Sequence, residues 1–243
     1  DTFDCSDVGT NPVVLTVTDV NGNSSTCTAT VTVEDNVAPM AVCQDITVQL
    51  DAAGNATIVA SDVDGGSTDA CGIASLAIDV DTFDCSDVGT NPVVLTVTDV
   101  NGNSSTCTAT VTVEDNIAPV IACPMDITLP NDPGVCGAEV NFGDASAADA
   151  CGIATVLQTA GLPSGSTFPV GTSTVEFTAT DVNGNTSTCT FTVTVQDTEL
   201  PVAVCQDITI QLDALGAASI TAADIDGGSG DNCGVASISA SQT

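Results

Sequence analysis

The stretch that decides the fold is VVLTVTDVNGNSSTCTATVTV, residues 93 to 113. From Thr106 to Val113 it alternates strictly, with Cys107, Ala109, Val111 and Val113 on one face and threonines on the other, the pattern of a strand covered on one side. Val93 to Thr98 is a second run of the same kind, and the Asp99-Val100-Asn101-Gly102-Asn103 between them holds an Asn-Gly, a strong hairpin signal. No segment carries an apolar 3.6-residue period over helical length, so the whole chain reads as strand. Further short strands are expected at Ile46 to Leu50, Ala56 to Ala60 and Ile73 to Ile78.

The hairpin belongs to a stretch that occurs twice, because residues 1 to 36 recur letter for letter at 81 to 116, a step of 80. Such a step means one small domain repeated. A looser third copy follows: Cys43, Cys123 and Cys205 each open an Asp-Ile-Thr segment, and Cys71, Cys151 and Cys233 each precede a glycine, at steps of 80 and 82. The frame gives the later half of a repeat at 1–38, complete repeats at 39–118 and 119–200, and the earlier half of a repeat at 201–243. The two halves are complementary, and the expectation is a window from a longer array or head-to-tail filament, in which 201–243 of one copy completes 1–38 of the next. About seven strands in some 80 residues suggest an immunoglobulin-like sandwich, although tryptophan is absent. The expected fold is all-β: tandem immunoglobulin-like β-sandwich domains of about 80 residues in an extended rod.

Thirty-two acidic residues stand against no Lys, Arg or His, so no side-chain salt bridge exists. Nucleic-acid backbones are bound by Lys and Arg that release counterions, so that partner is excluded, and anionic membrane surfaces, bound by the same cations, are disfavoured, with no membrane insertion expected. The charge favours solubility and pushes successive domains apart. Hydrophobic content of 43% argues against disorder. A repeat of about 80 residues is small for a self-sufficient core, so a covalent staple is expected.

Twelve cysteines supply it. Even counts at regular intervals in small domains indicate disulfides and an oxidising compartment; with no His and no CxxC, zinc is disfavoured. The positions of Cys43 and Cys107 return as Cys123 and Cys189, and that of Cys71 as Cys151, whereas the fourth cysteine moves from 14 residues after Cys71 (Cys85) to 15 residues before Cys151 (Cys136). If the fixed outer pair bond each other, the mobile cysteine has only to reach the Cys-Gly turn of its repeat from either side. The expected pairs are Cys43–Cys107, Cys71–Cys85, Cys123–Cys189 and Cys136–Cys151, with Cys205–Cys27 and Cys233–Cys5 between copies.

The order of Pro119, Cys123-Pro, Gly161-Leu-Pro-Ser-Gly-Ser-Thr-Phe-Pro-Val-Gly-Thr, Phe177-Thr-Ala-Thr-Asp-Val-Asn-Gly-Asn and Cys189-Thr-Phe-Thr-Val resembles the hyalin repeat (HYR) domain, an immunoglobulin-like module of extracellular adhesive proteins. The repeat at 119–200 matches nearly end to end. The repeat at 39–118 departs from the pattern, with Phe83 to Gly89 reading FDCSDVG in place of Phe-Pro-Val-Gly. The resemblance extends to tandem arrays in large bacterial cell-surface adhesins of the Bacteroidetes type. It implies a structural, disulfide-stapled stalk or filament segment of an extracellular adhesin, at the cell surface or secreted. Its partner would be itself, head to tail or in a longer chain, beside a surface ligand that the residues do not identify. The alternative is an adhesive module whose repeats themselves hold a carbohydrate or a protein.

Catalysis is disfavoured, because without His, Lys, Arg or Tyr the usual general bases and oxyanion-stabilising cations are missing. The chemistry left to weigh is hard-cation binding, with calcium as the candidate cofactor. The candidate ligands are Asp62, Asp64 and Asp69, their counterparts Asp224, Asp226 and Asp231, and the acids beside each junction, Asp35, Asp115 and Asp197. A bridging ion at the junctions resembles the arrangement in cadherins. The Asp-Val-Asn-Gly-Asn elements at 19, 99 and 181 read as hairpin turns, and none of the clusters completes an EF-hand loop.

Overall fold

The computed structural model describes residues 1–242, and the chain divides into two compact units meeting at Ile117 and Ala118. The first unit holds eight strands: β1 (Gly9–Thr18), β2 (Ser24–Val33), β3 (Ile46–Gln49), β4 (Asn55–Thr57), β5 (Ile73–Ile78), β6 (Thr82–Asp84), β7 (Gly89–Asp99) and β8 (Ser104–Glu114). The second unit holds β9 (Val120–Ala122), β10 (Ile127–Pro130), β11 (Gly137–Val140), β12 (Ser146–Ala148), β13 (Ile153–Ala160), β14 (Ser166–Pro169), β15 (Gly171–Asp181) and β16 (Thr186–Gln196). A single helical turn, α1 (Ala222–Ile225), follows.

Each complete repeat is an immunoglobulin-like sandwich built around its long hairpin. In the first unit the hairpin β7–β8 takes β5 antiparallel on one edge and β3 parallel on the other, and a small sheet of β4 and β6 lies apart from it. In the second unit the order β10-β16-β15-β13 is the same, with β11–β14 and β12–β9 as the smaller sheets. The register follows the alternation in the sequence. Leu95 faces Cys107 across the hairpin, and Phe177 faces Cys189.

Inward residues of the hairpin make the core: Val93, Leu95, Val97, Ala109 and Val111 are fully buried, as are Val175, Ala179 and Val193. The second unit is the more aromatic. Phe142 meets the rings of Phe168, Phe177 and Phe191 edge on, at centroid distances of 6.2, 6.5 and 5.1 Å. Phe177 and Phe191 take the places that Leu95 and Ala109 hold in the first unit, so a small side chain has been exchanged for a large one in a different packing solution.

Residues 1–36 form the same hairpin as their duplicate, with Leu15 opposite Cys27, but β1 and β2 stand as a two-stranded sheet. Leu15 and Val17 are each 58% exposed, against 0% for Leu95 and Val97. Identical sequence therefore gives identical local pairing and opposite burial, because pairing is decided within the hairpin and burial by what covers it. The segment 201–242 holds the turns of its counterpart 39–80 without the strands: only the isolated bridges Val202 to Gly230 and Cys205 to Asp226 form.

The duplication supplies its own control for core energetics. Leu95→Ala is expected to cost about 2–5 kcal/mol, the range for emptying a buried leucine site, and Leu15→Ala to stay within about 0.5 kcal/mol. Urea unfolding followed by far-UV circular dichroism on dilute protein measures both; equal losses at the two positions would overturn this account of the core.

Candidate functional site

The acids and cysteines converge where one repeat hands over to the next. In the first unit, Asp35 leaves β2 and turns the chain, its Oδ1 accepting from the Val37 amide at 3.0 Å. Asp69 opens the Cys-Gly turn of the following repeat, its Oδ1 accepting from the amides of Cys71 and Gly72 at 2.7 and 3.1 Å. The two carboxylates and Cys71 Sγ come within 4.8 Å of one another. Cys71 is bonded to Cys5, so the disulfide crosses from the repeat that ends near residue 38 to the one that begins there. Asn103, on the β7–β8 turn, donates to the carbonyls of Asp35 and Val37 at 3.0 and 3.4 Å, and Ser105 donates to that of Pro39.

The second unit repeats the plan. Asp197 accepts from the Glu199 amide at 3.2 Å, Asp231 from the Cys233 amide at 2.8 Å, and these carboxylates cluster with Cys233 Sγ. Cys233 is bonded to Cys136. Glu199 takes the Gly134 amide and the Asn131 side-chain amide, and Asn232 donates to Val135, so here the turn before β11 adds to the joint. The sequence marked Asn103 only as part of its hairpin turn and gave no junction role to Asn103, Asn131, Glu199 or Asn232, whose contacts appear once the two repeats are set side by side.

Cys43–Cys107 and Cys123–Cys189 tie the first segment of each complete repeat to its last strand. Three expected pairs are corrected. Cys71 bonds Cys5 rather than Cys85, Cys136 bonds Cys233 rather than Cys151, and Cys233 therefore does not bond Cys5 of another copy. Cys85 and Cys151 are themselves in disulfides, and Cys27 and Cys205 are free. The reason is strand length. Fourteen residues separate Cys71 from Cys85, but β5 lies between them, and six residues of strand span about 20 Å where a disulfide tolerates at most about 7 Å between Cα atoms.

The moving cysteine keeps its end of the repeat. Cys85 lies against the carbonyl of Gly54, in the turn before β4, and ends β6, the partner of β4. Cys136 lies in the corresponding turn and starts β11, whose partner is β14. The relocation is a step across a strand pair. For Cys136, as for Cys5, the turn reached is that of the next repeat, not its own.

The predicted ligands separate by use. Asp62 and Asp224 cap short helical turns, accepting from the amides of Val59 and Thr221 at 2.8 and 2.7 Å. Asp64 and Asp226 accept from the amides of Ser67 and Ser229, at 2.9 and 2.8 Å, within their own loops. Asp69 and Asp231 alone among these six reach the junction acids. Asp115 turns its chain as Asp35 does, accepting from the Ile117 amide at 3.1 Å. The donor set at Asp35 and Asp69 suits a hard cation: the sulfur is spent in a disulfide, and Asp35 Oδ2 is sealed from solvent with no hydrogen-bond partner among the described residues. Two carboxylates give at most four of the roughly six to eight oxygens calcium takes, the rest falling to carbonyls and water.

The hairpin turns are structural, and their acids are buried without a countercharge. Asp99 Oδ1 accepts from the amides of Asn101 and Asn103 at 2.9 and 2.8 Å, and Oδ2 from the Asn103 side chain at 2.9 Å. Gly102 supplies the positive φ of 95° that closes the turn. Asp181 does the same with Asn183 and Asn185. Burial pushes both carboxyls up, and the amide donors outweigh it, holding them below the ordinary 3.8.

Fold and junctions together define a tandem all-β repeat protein in which one disulfide crosses the junction near residue 38 and another the junction near residue 200. Residues 114–195 match the HYR domain. Hyalin of Strongylocentrotus purpuratus is 32% identical over 224 residues, 88% of this chain and 19% of that protein; hyalin of Lytechinus variegatus is 32% identical over 202 residues, 78% and 37%. The chain thus spans less than half the length of either relative. Among solved structures, protocadherin gamma C5 EC1-3 (TM-score 0.36, 14% identity, 79% of each chain) and human protocadherin-24 EC1-2 (TM-score 0.34, 16% identity, 67% of this chain and 100% of that one) are remote likenesses.

A depressed carboxyl stabilises the fold above its unfolded value and ceases to do so as pH falls through its folded value. The wild-type midpoint is accordingly expected to hold from pH 7 to about pH 4 and to drop steeply below 3.8. Asp99→Asn with Asp181→Asn should lower the midpoint at pH 7, by setting amide against amide, and flatten the acid limb. A thermal midpoint series by circular dichroism checks this, and parallel acid limbs for wild type and variant would refute it.

Proposed function

We propose that the chain is a non-catalytic load-bearing segment of an extracellular adhesive stalk, built from HYR-type repeats. The observation that carries this reading is the pair of bridges Cys5–Cys71 and Cys136–Cys233, each of which fastens one repeat to the next. A peptide linker alone leaves a joint free to bend; a disulfide beside it makes a second covalent strut and removes that freedom. The outer bridges act within each repeat, closing 64 and 66 residues. Tension entering near the first strand passes through sulfur to the last and does not peel the hairpin. Ten disulfide-bonded cysteines fit an oxidising, extracellular setting, and similarity to the hyalins supports the class.

The same reading assigns calcium to the junctions. An ion between Asp35 and Asp69, or Asp197 and Asp231, would satisfy the sealed oxygen of Asp35 and offset carboxylate repulsion that no side-chain cation in the chain relieves.

Pulling single chains from their termini tests the mechanical part. Oxidised protein should show no step from the residues within the outer bridges, and reduction should release about 220 Å per complete repeat at roughly 3.4 Å per residue. Steps of that size before reduction would overturn the load-bearing reading. For the ion, calcium should raise the thermal midpoint of wild type and EDTA should reverse it, with the response lost in Asp69→Asn/Asp231→Asn. Midpoints indifferent to calcium would remove the ion from the proposal.

A further inference from the structure

Each joint disulfide is set beside two fixed carboxylates. At the first joint Cys71 Sγ and oxygens of Asp35 and Asp69 all lie within 4.8 Å of one another, and at the second Cys233 Sγ lies likewise with Asp197 and Asp231. Backbone amides hold the acids in place: those of Cys71 and Gly72 on Asp69 Oδ1, of Cys233 on Asp231 Oδ1, of Val37 on Asp35 Oδ1 and of Glu199 on Asp197 Oδ1. The first joint takes its other cysteine from Cys5 and the second from Cys136, yet both bonds end beside the same pair of acids. Among the described residues, no cysteine of the outer bridges Cys43–Cys107 and Cys123–Cys189 belongs to such a group.

A disulfide is opened by a thiolate, which attacks one sulfur and expels the other as a new thiolate. At the first joint the attacking sulfur bonds Cys5 Sγ, the Cys5–Cys71 bond breaks, and its electron pair leaves on Cys71 Sγ, which takes a proton from water. A second small thiolate then displaces Cys5, which is protonated in turn, and departs in a small-molecule disulfide. Two electrons have passed from two thiols to one protein disulfide. Whichever sulfur is attacked, a negative charge is spread over three sulfurs, one of them within 4.8 Å of both carboxylates. A unit charge at that range in water changes a rate by about fourfold, so the pair is worth roughly tenfold at about 0.01 M salt and less than about twofold at about 1 M. No Lys, Arg or His side chain opposes it.

We infer that Asp35 with Asp69, and Asp197 with Asp231, shield the joint disulfides from thiol reductants and discriminate most strongly against anionic ones. The shield goes beyond the load-bearing reading, because it concerns how long each strut survives and not what it carries. It needs no bound ion.

The test follows reduction of the full 243-residue chain in EDTA, so that its outcome is separate from that of the calcium experiment, with Cys27 and Cys205 alkylated beforehand. Cysteamine, 2-mercaptoethanol and 2-mercaptoethanesulfonate serve as the cationic, neutral and anionic thiols, with rates expressed per thiolate. Quenching with iodoacetamide and digestion at acidic residues, since trypsin has no site here, reads the bridges through Cys71, Cys233, Cys43 and Cys123, whose surrounding sequences are each unique. In wild type, raising salt from about 0.01 M to about 1 M should speed opening of both joints by the sulfonate more than opening of the outer bridges. Asp35→Asn/Asp69→Asn, which keeps the oxygens that accept from the backbone, should speed opening of Cys5–Cys71 by the neutral thiol roughly tenfold at low salt. The gain should be larger with the sulfonate, smaller with cysteamine, and absent at Cys136–Cys233. Asp197→Asn/Asp231→Asn should act on Cys136–Cys233 alone. Gains equal for all three thiols or undiminished by salt would mark a loosened joint and overturn the inference. Unchanged rates in the variants, faster opening of every bridge together, or wild-type joints no more salt-sensitive than the outer bridges would do the same.

Discussion

Because the chain has no side-chain cation, a carboxylate drawn out of water depends on N–H and O–H donors. This constraint shapes the molecule at each level. Asp99 and Asp181 can be buried because each collects two backbone amides and a side-chain amide within a single turn. The loop acids Asp64 and Asp226 reach the serine amide three residues on, and Asp62 and Asp224 cap helical turns. Aspartate therefore acts in this protein chiefly as a backbone organiser. Where a salt bridge would fasten two surfaces in another protein, sulfur does it here.

That division leaves the handovers between repeats different from the rest. At Asp35 the first oxygen is engaged by the Val37 amide, whereas the second is sealed beside Asp69 with no hydrogen-bond partner among the described residues. At the handovers between repeats acid accumulates beside a disulfide. The same few residues also carry the Cys5–Cys71 bond, so the chemistry that could respond to cations and the chemistry that responds to redox conditions share one joint.

The hairpins and the strand alternation were legible in the sequence because each is a local property: period-two patterning and Asn-Gly turns specify pairing within some 20 residues. The outer bridges were legible for a related reason, since residues fixed at both ends of a repeated unit mark its first and last strands. The inner bridges were not. Cys71 and Cys85 are near in sequence and lie at opposite ends of β5, a distance that linear spacing conceals. Among the acids, composition pointed to nine aspartates without ranking them, and only the placement of the Cys-Gly turn against the end of the preceding repeat separates Asp69 and Asp231 from the four that serve their own loops. Asn103 was legible only as part of its hairpin turn, and Glu199 carried no signal, because the contacts each makes with the neighbouring repeat exist only across a junction.

Cys5, the counterpart of Cys85, and Cys136, which precedes β11, each bond the Asp-x-Cys-Gly turn of the repeat that follows, a turn that does not change between repeats. The joint is thus a coupling with two interchangeable plugs and one socket. Any repeat bearing either plug can precede any repeat bearing the socket, so insertion, loss or reshuffling of whole units preserves every joint. Array length in such a protein is free to drift by recombination, and the verbatim copy of residues 1–36 at 81–116 is what recent traffic of that kind would leave behind.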